Sequence, residues 1–88
     1  MANQENQKII PWQIGQIFYR YRKKLGWTQE QVANILGIER SAYSYYESGK
    51  AMPKMDCFLQ LIVLYDIPRK ELMETLRGTE QGRRVGLL

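Results

Sequence analysis

Catalysis requires nucleophiles, bases or metal ligands that can converge, and this chain of 88 residues holds few of them. It has no histidine and a single cysteine, Cys57. That thiol has no histidine to activate it, and it stands in a largely apolar stretch, so it reads as a small buried or half-buried side chain. One cysteine without histidine makes no zinc site, and there is no glycine-rich phosphate loop and no serine with triad partners. The expectation is a protein that is not an enzyme, with no metal and no cofactor. The chemistry that remains is cationic: thirteen Lys and Arg against nine Asp and Glu leave a formal charge of +4. A modest positive balance is compatible with a polyanionic partner but does not demand one, so position has to carry the argument.

Two groups of residues invite such a reading. Arg20, Arg22, Lys23 and Lys24 form a cationic cluster, which on a helix with an apolar opposite face reads first as solvated surface and second as a phosphate patch. Tyr19, Tyr21, Tyr43, Tyr45, Tyr46 and Tyr65 resemble a stacking platform for single strands, yet their helical spacing assigns most of them to core or rim. Tyr45 is the exception.

The elements that would hold these residues are helices. Residues 1–10 are rich in Asn, Gln and Glu and read as a mobile arm, with the folded domain over 11–78 and a tail over 79–88. From Pro11, the residues Ile14, Ile17, Phe18, Tyr21 and Leu25 recur at spacings of three and four, the pattern of a helix with one apolar stripe, ending at Gly26. Thr28 and Gln31 then form a capping box, flanked by Trp27 and Val32 as a hydrophobic staple, and open a helix from Gln29 to Leu36 that Gly37 stops. A third short helix runs from Arg40 to Ser48 and closes at Gly49. After Pro53, Met55, Phe58, Leu59, Leu61, Ile62 and Tyr65 make a wide apolar face; Pro68 opens a fifth helix carrying Leu72, Met73 and Leu76. No run of alternating β-branched residues ends in a hairpin turn, so the class is all-α. The two short helices around Gly37 cannot be stable alone and need the other three as a platform.

Within 29–48 the residue types suit a helix-turn-helix. Ala33 is small where two helices cross, Gly37 makes the turn, and Val32, Leu36, Ile38 and Tyr46 point inward. From IGQIFYRYRKKLGWTQEQVANILGI, through ERSAYSYYESGKAMP, to YDIPRKEL, the chain resembles the phage-repressor and Cro-like helix-turn-helix proteins, the Xre family, over roughly residues 14–73.

The resemblance implies a compact five-helix lambda-repressor-like domain that binds double-stranded DNA and regulates transcription, most often as a repressor. It implies that 40–48 is the recognition helix in the major groove, with Arg40, Ser41, Ser44 and Tyr45 facing the bases and Glu39 at its cap. Arginine can bond guanine O6 and N7 together, whereas serine can meet a base or a phosphate. Phosphate contacts are expected from Thr28 and Gln29, where helix amides and dipole face the backbone, and from Lys50 and Lys54. Arg22 and Glu47 match positions that pair structurally in the family. A short recognition helix reads few base pairs, so a homodimer is expected on half-sites about 34 Å apart, with the fifth helix and tail as its contact surface.

There are departures. Tyr43 stands where the family has a smaller aliphatic residue, which implies either a recognition helix held farther from the core or a hydroxyl with a surface partner. Glu39 and Lys54 replace the usual small polar caps. The rival reading is a protein-binding module, an antitoxin or an adaptor to the transcription machinery. In the tail, Arg83 and Arg84 read as disordered before they read as phosphate ligands, and Val85, Leu87 and Leu88 are apolar enough to dock on a partner. The polar N-terminus and the short apolar run from Leu61 to Tyr65 suggest neither export nor a membrane span, and a lone cysteine suits a cytoplasmic protein.

Overall fold

The computed structural model describes residues 3–79, with the side chains of 10–75 and 77. It contains α1 (Asn3–Leu25), α2 (Gln29–Leu36), α3 (Arg40–Ser48), α4 (Met55–Tyr65) and α5 (Arg69–Thr79), and no strand among the described residues. The tail residues Arg83, Arg84, Val85, Leu87 and Leu88, and the Leu76 side chain, lie outside this description.

Helix α1 starts eight residues before Pro11, within the segment expected to be an arm. Proline suits a first turn, but here it sits inside the helix, where it has no N–H to give to the carbonyl four residues back. Ile10 already packs on the core, so apolar burial begins before the proline.

The caps of α2 follow the sequence chemistry. Thr28 Oγ1 accepts from the Gln31 amide at 3.0 Å, and Gln31 Oε1 accepts from the Thr28 amide at 2.8 Å. Gly37 takes φ 72° and its N–H returns to the carbonyls of Ala33 and Asn34, a left-handed ending that costs a glycine nothing. Glu39 and Lys54 occupy the N-caps of α3 and α4 with no side-chain cap bond. At the end of α4 the left-handed position falls on Asp66, φ 54°, a short polar residue that tolerates it.

The core gathers Ile14, Ile17 and Phe18 of α1, Val32 and Ala33 of α2, Tyr43 and Tyr46 of α3, and Cys57, Leu61 and Tyr65 of α4, closed by Ile67. Leu36 and Ile38 reach it only in part. Three expected core residues face out instead: Leu25, Met55 and Leu59 are exposed. The apolar face read across α4 is two faces, and the body of the molecule covers the one carrying Cys57, Leu61 and Tyr65.

Tyr43 is fully buried and its hydroxyl lies 2.6 Å from that of Tyr65. Its partner is therefore internal, and the expected surface partner is not what it finds. Tyr65 is framed by Phe18 and Tyr21 at 6.2 Å and Trp27 at 6.3 Å between ring centroids. Burial raises the pKa of both hydroxyls, Tyr65 to about 12, because the interior disfavours phenolate.

Close approach of α1 and α3 depends on Gly15. A Cβ there would lie 2.4 Å from the Glu47 carbonyl oxygen and 2.5 Å from that of Tyr46, so only a bare α-carbon lets the end of α3 rest on α1.

Candidate nucleic-acid interface

The structural anchor of the site is a buried ion pair. Arg22 Nε donates to Glu47 Oε2 at 2.6 Å and Nη2 donates to Oε1 at 3.1 Å, while Nη1 donates to the Trp27 carbonyl at 2.8 Å. A fork on a carboxylate, with the third guanidinium nitrogen also donating to a carbonyl, is the geometry that makes a buried pair tolerable. The hydrogen bond to Glu47 raises the Arg22 pKa against the opposing effect of burial. The pair ties the end of α1 to the end of α3.

From this anchor a chain of side chains leads to the surface. Gln29 Nε2 donates to Glu47 Oε1 at 3.0 Å, and Arg40 Nη1 donates to Gln29 Oε1 at 3.1 Å. A carboxylate only accepts, so Gln29 must turn its NH2 inward and its oxygen outward, where it meets a guanidinium that only donates. Nothing in the spacing of 22, 29, 40 and 47 announces this relay; it exists because three helices converge there.

Around it opens a cleft of about 540 Å³, lined by residues that include Arg22, Lys23, Trp27, Thr28, Gln29 and Arg40. Thr28, Gln29 and Arg40 are thus brought together. Lys23, read from sequence as plain solvated surface, joins them at the mouth, along with the unhelpful negative charge of Glu30. The Thr28 and Gln31 amides are both taken by the capping box, which leaves those of Gln29 and Glu30 as the amides at the start of α2 open to a ligand.

The other cations of α1 have different positions. Arg20 is held by Glu71 at 2.9 Å, where Tyr21 also donates to the same carboxylate at 2.6 Å; the Tyr21 bond, with Arg20 beside it, lowers the Glu71 pKa. Lys24 lies over the Tyr21 ring at 5.4 Å.

On α3, Ser41 and Tyr45 are exposed with Arg40, and Ser44 is half-buried. Tyr45 and Lys50 form a second group, the Lys50 Nζ standing 5.3 Å from the ring centroid. Lys54 is exposed at the start of α4, outside both groups. No cluster of His, Cys, Asp or Glu among the described residues is fit to hold a metal ion, and no described helix is long and apolar enough to cross a membrane.

Comparison with known proteins agrees with this arrangement. A family described as a helix-turn-helix domain matches residues 15–75. The chain is 38% identical over 52 residues to the HTH-type transcriptional regulator AnsR of Bacillus subtilis (strain 168), covering 59% of this chain and 45% of that protein. It is also 38% identical over 45 residues to the cryptic phage CTXphi transcriptional repressor RstR of Vibrio cholerae, covering 51% of this chain and 40% of that one. The matches thus span less than half the length of either relative, and no solved structure gives a significant match. An all-α fold with α2, a glycine turn and α3 braced by a buried Arg22–Glu47 pair, together with a match over most of its length, makes this chain a member of the helix-turn-helix domain family, of the Xre-like kind.

Proposed function

We propose that the chain binds double-stranded DNA in a sequence-specific manner and acts as a transcriptional regulator, a repressor, laying α3 in the major groove. The observation that carries this reading is the Arg40 guanidinium, exposed at the start of α3 and steadied by Gln29 at 3.1 Å beside the first turn of α2. A held arginine at a groove is suited to the paired bond with guanine O6 and N7, whereas a free one loses rotamer entropy on binding. Ser41, Ser44 and Tyr45 face the bases with it. Gln29 and Thr28 at the start of α2, with Lys50 and Lys54, contact phosphates and set the register. Lys23 adds a further cation at the mouth of the cleft.

The reading includes a homodimer, since nine residues of α3 address only a few base pairs. It also includes cytoplasmic localisation and no catalytic activity. That one relative is named a transcriptional regulator and another a transcriptional repressor supports the reading, as does the family.

Selection of bound sites from a random duplex library tests it. A palindromic output containing guanine, with affinity that falls steeply as salt rises, is the expected result. Absence of enrichment at low ionic strength, with the chain folded, would refute it.

A further inference from the structure

We propose that two copies of this chain pair through the outer face of α4, one helix antiparallel to the other. This deepens the reading above, on which the expectation of a dimer rests, by naming the surface that forms it.

Helix α4 is MDCFLQLIVLY, apolar at every position except Asp56 and Gln60. A helix that is hydrophobic all round is normally buried all round. Here Cys57, Leu61 and Tyr65 are buried, yet Met55 is 69%, Leu59 54% and Val63 79% exposed. Those three recur every four residues, so they form one stripe along the helix. Ile35 of α2, 56% exposed, lies beside it, and between them runs a trough of about 420 Å³ lined by Ile35, Leu36, Leu59, Val63 and Leu64 with Gln60.

The stripe has the symmetry that a two-fold contact requires. In an isologous interface residue i of one copy meets j of the other and j meets i, and only a residue on the axis meets its own counterpart. With the helices antiparallel, Leu59 sits on the axis and Met55 of each copy lies over Val63 of the partner subunit. Met55, unbranched and flexible, can reach into the trough. The ends of α4 allow this orientation: Lys54 stands at one end, with Asp56 beside it, and Asp66 at the other, all three exposed. Antiparallel pairing brings each Lys54 within a lysine's reach of Asp66 of the partner subunit, and the helix dipoles oppose. Parallel pairing would set like against like. An exposed rim pair of this kind fixes register more than affinity, so Lys54 remains able to turn to a phosphate.

The size also fits. A weak specific contact buries up to about 600 Å² on each side. Four largely exposed aliphatic side chains with the trough approach that, which suits a weak, reversible dimer.

The test is sedimentation of the full chain without DNA over a range of concentrations, with Leu59→Asp. Dimer formation that Leu59→Asp weakens at least tenfold is expected. As Leu59→Asp can also disturb folding, Leu59→Cys is oxidised in parallel; it is expected to link to its own counterpart faster than Met73→Cys on exposed α5. A chain monomeric at every concentration overturns the proposal, as does a dimer indifferent to Leu59→Asp or one linked faster through Met73→Cys. A monomeric Leu59→Cys variant whose introduced thiol resists thiol reagents would assign the face to the chain's own residues 80–88 and also overturn it. Pairing through α4 with no affinity for any duplex would keep this surface and remove the regulator reading, so the two fail separately.

Discussion

Gln29 stands between two groups of opposite demand, giving its NH2 to Glu47 at 3.0 Å and its oxygen to Arg40 at 3.1 Å. Through it the orientation of an exposed arginine on α3 depends on an ion pair buried between α1 and α3. Positioning by a neutral amide costs little, because neither end of Gln29 needs to be desolvated unpaired.

Gln29→Ala should therefore reduce discrimination at the base Arg40 meets by about 1 kcal/mol, the net worth of one such bond. Competition binding with duplexes varied at each position checks this. An equal loss at every base would mean that the Gln29 side chain acts only on the DNA backbone and does not position Arg40.

Arg40→Ala should remove a guanine preference at one position, about 1–3 kcal/mol, and leave the other positions of the site as selective as before. Binding to a panel of single-base operator variants measures it. Uniform weakening, with a shallower salt dependence, would reassign Arg40 to phosphate.

Glu47→Ala should destabilise the fold by about 3–5 kcal/mol, because it leaves the Arg22 guanidinium buried without its carboxylate. Replacing both residues by apolar ones of similar volume, Arg22→Met with Glu47→Leu, should cost much less. Thermal melts of the three proteins decide the matter; a double variant as unstable as the single one would contradict it.

Tyr43→Phe should cost about 1–3 kcal/mol by leaving the Tyr65 hydroxyl buried and unpaired, and adding Tyr65→Phe should recover part of the loss. The pair also predicts a pH limit. Both phenols have folded pKa values raised above the ordinary 10, Tyr65 to about 12, so folding favours their neutral forms. Their contribution is complete below pH 10 and is lost as pH climbs through 10 toward 12 and beyond. Chemical denaturation across that range should show wild-type stability falling more steeply than that of the double phenylalanine variant.

Gly15→Ala should destabilise by about 1–3 kcal/mol although alanine is the better helix former, since its methyl would press on the α3 carbonyls at 2.4 and 2.5 Å. A melt showing a gain in stability would mean that α3 can withdraw freely.

The features legible in the sequence were those decided within a few residues. The capping box of Thr28 and Gln31, the left-handed ending at Gly37 and the period of Ile14, Ile17 and Phe18 express short-range hydrogen bonding, sterics and burial, which neighbouring residues already contain. They yielded five helices, the turn and the exposed start of α3. Asp66, ending α4 where glycine is commoner, and the helical turns before Pro11 were not legible, since the local chemistry there admits other conformations.

What the tertiary structure alone decided is which distant groups meet. That Tyr43 finds Tyr65, that Gln29 links Arg40 to Glu47, and that Gly15 receives the end of α3 all depend on where three or four helices cross. The same holds for α4, whose composition is apolar throughout: periodicity cannot say which side the body of the molecule will cover, because both stripes are equally fit to be buried. Only packing against the body of the molecule, α1 and Tyr43 of α3 included, assigned Cys57, Leu61 and Tyr65 to the inside and left Met55, Leu59 and Val63 facing out.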